Sequence, residues 1–196
     1  MKKIRIQYAD DDTSSIRRLL KLRIPSLLCG LVLGFLLSFV ASRFEAVLAE
    51  NIAVAFFIPF IVYLADAVGT QTQNIYARDL KSGKASFKTY FLKESVLGVV
   101  LGLIFASLTA LILMLWFQSV ELTLAVSLGV LGAIASAPLI ALIICEVLEL
   151  EREDPAVWAG PIATVVQDTV SVLIYGLIAT VVILLKSCNK KVNSAL

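Results

Sequence analysis

Two aspartates stand where an aspartate is expensive. Asp168 sits in the middle of a long run of Val, Ile and Leu, and Asp66 sits well inside an earlier apolar run. A carboxylate held in hydrocarbon costs on the order of 3 kcal/mol on insertion scales, so each marks a candidate functional site. Neither is isolated. Gly160, Thr164, Asp168, Ser171 and Tyr175 fall at i, i+4, i+8, i+11 and i+15, which is one face of a helix. Asp66, Gly69, Thr70, Gln73 and Asn74 fall at i, i+3, i+4, i+7 and i+8, a second polar face. Such a stripe is either the wall of an aqueous pathway or a seam buried between neighbours with its hydroxyls satisfied. A seam accounts for Thr and Ser. It accounts poorly for Asp168, because no Lys or Arg lies at comparable depth, and the stripes are read as pathway walls. Glu94, Glu146 and Glu149, near the ends of apolar runs, are read as solvated helix termini.

The donor set selects a cargo. Carboxylates, amides, hydroxyls and main-chain carbonyls are hard oxygen ligands, suited to Mg²⁺, Ca²⁺ or Mn²⁺. Histidine is absent, and Cys29, Cys145 and Cys188 are scattered, which disfavours Zn²⁺, Cu⁺ and Ni²⁺. Mg²⁺ sheds its waters reluctantly and is held by one or two carboxylates, so a sparse, hydroxyl-lined site around one central Asp suits it better than a Ca²⁺ cage does. In a two-fold dimer, both Asp168 carboxylates would face the axis, and the pair would neutralise one divalent ion. The lack of histidine also removes Ser-His and Cys-His nucleophiles. Two carboxylates sharing a water would serve an intramembrane aspartyl protease, but the flanks Leu64-Ala65-Asp66-Ala67 and Val166-Gln167-Asp168-Thr169 do not resemble its motifs. No enzymatic activity is expected.

Placing two acids at depth requires spans. Of 196 residues, 59% are hydrophobic, and the mean hydropathy is +0.92. A water-soluble domain of this size cannot hide that much apolar surface. The expected fold is all-α: a polytopic membrane protein with five transmembrane helices per protomer, preceded by a short amphipathic helix. Residues 1–24 read as a cytoplasmic tail and that interfacial helix, with Arg17, Arg18, Lys21 and Arg23 toward headgroups and Ile16, Leu19, Leu20 and Ile24 inward. The five spans occupy 25–186, at about 25–42, 52–77, 91–117, 122–148 and 155–185, each long enough to cross a bilayer. Residues 187–196 form a short extracytoplasmic tail. Pro25 is expected at a helix start, while Pro59, Gly69 and Pro138 are expected to bend helices or free a carbonyl. The Gly30/Gly34 and Gly98/Gly102 pairs, with Gly129, Gly132, Ala133 and Ser136, allow close helix approach, read mainly as packing within one protomer.

Thirteen basic residues fall on one side of this arrangement: Lys2, Lys3, Arg5, Arg17, Arg18, Lys21, Arg23, Arg78, Lys81, Lys84, Lys88, Lys93 and Arg152. Four fall on the other: Arg43, Lys186, Lys190 and Lys191. The asymmetry predicts a multi-pass protein of the cell (inner) membrane with its N-terminus cytoplasmic and its C-terminus outside. An odd number of spans and no internal repeat leave any two-fold symmetry to dimerisation. Membrane lipid and a second copy are the expected partners, and nucleic acid is not.

Two blocks resemble a known family. Pro59, Gly69-Thr70-Gln71, Arg78-Asp79-Leu80 and Gly83 are similar to the Pro…Gly-Asn-x-Gly-x-Gln…Arg-Gly-x-x-x-Gly signature of the MgtE magnesium transporters. Asp154-Pro155-Ala156, Gly160-Pro161 and Thr164…Asp168 are similar to a second region of that family. The match covers nearly all of 25–186. The resemblance implies a Mg²⁺ transporter or channel working as a homodimer, with the fifth helices lining a central pathway and Asp168 binding the ion. Asp66, Thr164 and Gly160 join Asp168 as candidate metal residues, with Ser171, Thr70, Gln73, Asn74, Tyr175 and Asp154 along the pathway. The chain departs from the family at Asp66-Ala67, where Gly-Asn is usual, and at Gly160, where some members have asparagine. Many relatives carry long N-terminal cytosolic regulatory domains, whereas 24 residues precede the first span here. That implies a form without them, for which a separate cytosolic regulator would be a partner. The chain also resembles one half of the two-repeat SLC41 carriers, so a Na⁺- or H⁺-coupled Mg²⁺ exchanger is the alternative mechanism. A non-transporting membrane subunit is a third reading.

Overall fold

The computed structural model describes residues 12–151 and 155–193, with side chains at 12–151 and 157–185. Lys2, Lys3, Arg5, Arg152 and Asp154 lie outside the described residues, as do the side chains of Lys186, Cys188, Lys190 and Lys191. Seven helices follow in order: α1 (Ile16–Ser42), α2 (Glu45–Glu50), α3 (Ile52–Phe56), α4 (Ile58–Lys81), α5 (Phe87–Trp116), α6 (Val120–Leu150) and α7 (Pro155–Asn193). No strand occurs among the described residues. Among the described residues, five segments are long and apolar enough to cross a bilayer: α1, α3 with α4, α5, α6, and α7 over Val157–Leu185. Their outward faces carry rows of bare Leu, Val, Ile and Phe, such as Leu31, Val32 and Phe35 on α1 and Leu103, Ile104 and Leu111 on α5. An exterior of that kind is stable only against lipid.

Three boundaries differ from the sequence expectation. First, the amphipathic segment and the first span are one continuous helix, with Pro25 inside α1 rather than at a helix start. Proline costs one main-chain donor but has a helical φ, and the adjacent Ser26 hydroxyl donates to the Arg23 carbonyl at 2.9 Å. Second, residues 45–56 are two short helices. The Asn51 side chain accepts from the Ala53 N–H at 3.2 Å and so restarts the chain as α3. The break at Phe57 puts Pro59 in the first turn of α4, where its missing N–H has no partner to lose. Third, α4 runs unbroken through Gly69, and α6 through Pro138, so Gly69 frees no carbonyl. α4 ends at Gly83, whose φ of 68° is the left-handed conformation that closes a helix.

The core is built on α6, which α5, α4 and α7 all pack against, while α1 packs on α7. Small residues make α6 the hub. A Cβ at Gly98 or Gly102 of α5 would lie 2.9 Å from the carbonyl oxygens of Ala135 or Leu131 on α6. Gly129 and Gly132 of α6 receive the Tyr175 ring and Ile174 of α7. Gly69 of α4 faces the Ala137 carbonyl, and Gly30 of α1 faces Pro161. The small-residue pairs therefore pack within the protomer, as their spacing predicts. Gly34 is the exception, with nothing within 4 Å of an added Cβ.

These contacts make a stability prediction. Gly98→Leu or Gly102→Leu should lower thermal stability in detergent by about 1–3 kcal/mol through overpacking of α5 on α6. Gly34→Ala should be neutral or raise it by up to about 1 kcal/mol, because only the helix propensity changes. Equal effects at Gly34 and Gly98 would contradict the packing described.

Candidate functional site

The two acidic stripes meet. α4 and α7 pack beside each other on α6, and the Thr164 hydroxyl on α7 donates to Asp66 Oδ1 on α4 at 3.1 Å. Asp168 lies one turn beyond Thr164 and within electrostatic reach of Asp66. Both acids are half-buried. Neither forms a salt bridge among the described residues, and Asp168 Oδ1 is buried with no hydrogen-bond partner. Such an oxygen is held away from water without compensation, which a cation would provide.

Between the helices lies a small crevice of about 10 Å³ lined by Asp66, Gly69, Thr70, Gln73, Ala163 and Gln167, with Ala137, Ile140 and Ala141 of α6 as its floor. The floor is low because α6 presents alanines there. Gln167 was not expected at the site. It is 3% exposed, and its amide nitrogen donates to the Ala133 carbonyl at 3.3 Å and to the Ser171 hydroxyl at 3.1 Å. Those two bonds fix the amide's orientation and leave Oε1 buried without a partner. Gln167 stands one residue off the Gly160–Tyr175 stripe, so periodicity alone gave it to the apolar face. A glutamine directly beside Asp168 in the middle of an apolar span was the available signal.

The predicted residues divide into three sets. Asp66, Thr164 and Asp168 come together, and Thr70 and Gln73 line the crevice next to them. Ser171 and Tyr175 face the protomer interior, 0% and 2% exposed. Ser171 is held by Gln167, and the Tyr175 hydroxyl donates to the Val54 carbonyl at 2.8 Å. Gly160 is half-buried with open space around it, and Asn74 is exposed. Asp154 lies outside the described residues. No group of three or more Cys, Asp or Glu residues able to hold a metal occurs among the described residues, so any ion site here rests on two carboxylates and neutral oxygens.

Two of the span-end glutamates are not solvated termini. Glu94 is 8% exposed and accepts from the Thr72 hydroxyl of α4 at 2.9 Å. Glu146 accepts from Tyr76 at 2.5 Å. The reason is that α5 starts at Phe87 rather than at 91, which places Glu94 two turns inside the helix against α4. Glu149 is exposed, as a helix end would be. The Tyr76 and Tyr90 rings pack edge to face at 4.8 Å, and Tyr90 bonds Asp79, so a polar layer joins α4, α5 and α6 at this end.

Comparison with known proteins adds a lineage. A family model described as MgtE, divalent cation transporter, matches residues 58–178. That range holds all of α4, α5 and α6 and both aspartates. The chain is 28% identical over 161 residues to the magnesium transporter MgtE of Bacillus subtilis, covering 81% of this chain and 36% of the relative. It is 32% identical to the magnesium transporter MgtE of Enterococcus faecalis over the same share of each. The chain thus spans about a third of the length of the curated relatives it matches.

The Tyr175 geometry can be tested directly. Tyr175→Phe should cost about 1–2 kcal/mol of stability, because the buried Val54 carbonyl loses its donor, and should leave cation binding unchanged. Loss of binding at unchanged stability would put this hydroxyl in the pathway instead.

Proposed function

The chain belongs to the MgtE family of divalent cation transporters, and on that premise we propose that it carries Mg²⁺ across a cell membrane as a homodimer. What supports the reading above all is Asp168, a mid-span carboxylate with one oxygen buried and unpartnered, within electrostatic reach of the carboxylate of Asp66. Hard oxygen donors match Mg²⁺, and the relatives' printed names specify magnesium.

What supports the homodimer is a polar surface that lipid cannot satisfy. Thr70, Gln71 and Asn74 are exposed along α4 beside the crevice, at a depth where unsatisfied polar groups are costly. A second copy over the α4–α7 face would cover them and close the pathway, with the fifth spans lining it. With the N-terminus cytoplasmic, the membrane potential drives inward flow without coupling, by about 4.6 kcal/mol per ion at roughly 100 mV, or about 2.3 kcal/mol per charge. Coupling to Na⁺ or H⁺ is the second reading, which the acid at Asp66 favours.

Purified protein in liposomes should admit Mg²⁺ down its gradient. Asp168→Asn should reduce that flux roughly 10–100-fold, the equivalent of about 1.5–3 kcal/mol for a charged contact, while the protein stays folded. Wild-type flux from the variant would reject Asp168 as the ion residue. Flux that requires an imposed Na⁺ or pH gradient would select the exchanger. Native mass spectrometry should find two chains per particle, and a monomer with full transport would reject the dimer.

A further inference from the structure

We propose that the seam between α1 and α7 holds one acyl chain of an anionic phospholipid, whose headgroup lies on Arg18 and Lys21 at the start of α1. The seam is closed at two heights and open between them. Gly30 of α1 meets α7 at Pro161, where an added Cβ would lie 3.5 Å from the Pro161 Cβ. Past the far end of α1, the Phe44 ring covers Gly176 so closely that a Cβ there would lie 2.5 Å from it. Between these contacts the two helices part around a groove of about 130 Å³, lined by Leu33, Leu36, Val165, Val166, Thr169 and Val170. Its one hydroxyl, on Thr169, donates to the Val165 carbonyl of its own helix at 2.7 Å, so the groove suits an apolar occupant. Val166 and Thr169 stand two positions from Thr164 and Gln167, about 160° around the helix, so the groove lies behind the residues that face α4 and α6.

Length and charge identify what fills it. The groove opens outward past Leu36, which is 52% exposed, and it is too narrow for a helix about 10 Å across. Left empty in a bilayer, its walls would forfeit dispersion contacts that a lipid tail supplies. From Arg18 to Leu33 the helix rises about 22 Å at 1.5 Å per residue. Half of a bilayer with its headgroups is also about 20–22 Å, so a lipid with its headgroup at Arg18 ends its chain in the groove. Arg18 also points the right way, because Leu36 follows it by 18 residues, five complete turns. Lys21 is about 60° from that line, and both cations are exposed. At the other end of α1, the Arg43 guanidinium is stacked on Phe39 at 4.1 Å, which leaves the start of α1 as the headgroup end. A chain held there braces α7 from behind, between its two contacts with the first span and its corner.

Native mass spectrometry of the purified protein, offered phosphatidylglycerol or phosphatidylcholine with the same chains, tests this. One phosphatidylglycerol per protomer should be retained in preference to phosphatidylcholine. Arg18→Gln and Lys21→Gln should each lower that preference about fivefold, whereas Arg17→Gln, about 100° around the helix from Arg18, should leave it nearly unchanged. Leu36→Trp fills the groove from its exposed side and should expel both lipids at an unchanged melting temperature. Equal retention of the two lipids by the wild type would overturn the proposal, as would equal losses in Arg17→Gln and Arg18→Gln. So would wild-type retention by Leu36→Trp, which would place the lipid on the basic surface alone. A changed number of chains per particle in Leu36→Trp would replace the lipid with a second copy.

Discussion

Lipid tails are as apolar as leucine, so helices in a bilayer gain nothing by burying leucine against leucine. Association then depends on how closely backbones approach, and that is set by the absence of side chains. α6 meets this constraint for the whole protomer. Its Gly129, Gly132, Ala133, Ala137 and Ala141 admit Tyr175, Ile174, Gly69 and the crevice, while Gly98 and Gly102 of α5 close on its other side. A longer side chain at any of these points would move a neighbouring helix, and two of those neighbours carry the aspartates.

The position of the acids is thus a consequence of packing. α4 and α7 each touch α6 through a glycine contact, and they are left separated by a gap floored with alanine. Around that gap, each polar group is either satisfied or left waiting. Ser171, Tyr175 and the Gln167 nitrogen have protein partners and fix α7 in rotation. Asp168 Oδ1 and Gln167 Oε1 have none. In a low-dielectric setting, oxygens of the second kind are unfavourable unless a positive charge or a donor meets them. The satisfied residues thereby orient those left unsatisfied.

A second polar layer lies at the Arg78 end of α4, where Glu94 bonds Thr72, Glu146 bonds Tyr76, and Tyr90 bonds Asp79. Each of these ties α4 to α5 or α6 near the end of a span. They hold the helix bearing Asp66 at a second level, away from the crevice, so that α4 is fixed by glycine packing at mid-depth and by hydrogen bonds at its end.

The sequence by itself determined the all-helical class, the five apolar spans, the two aspartates at depth, and the pairing of each with a hydroxyl-bearing face. All of these are local properties: run length, composition and a period of 3.6 residues. It also carried the family resemblance through Gly69-Thr70-Gln71 and Thr164…Asp168. Only the tertiary structure decided which residues of a stripe look at one another. Ser171 and Tyr175 share a face with Asp168 on a helical wheel, yet packing on α6 places them inside the protomer, whereas Thr164 meets Asp66. Gln167, about 100° away on the wheel, reaches the crevice. Glu94, read as a solvated end, became a buried acid once α5 began a turn early. The physical reason is that periodicity fixes angles about a helix's own axis, while the direction each angle faces depends on neighbours far away in sequence, set here by which glycines on α6 let which helix approach.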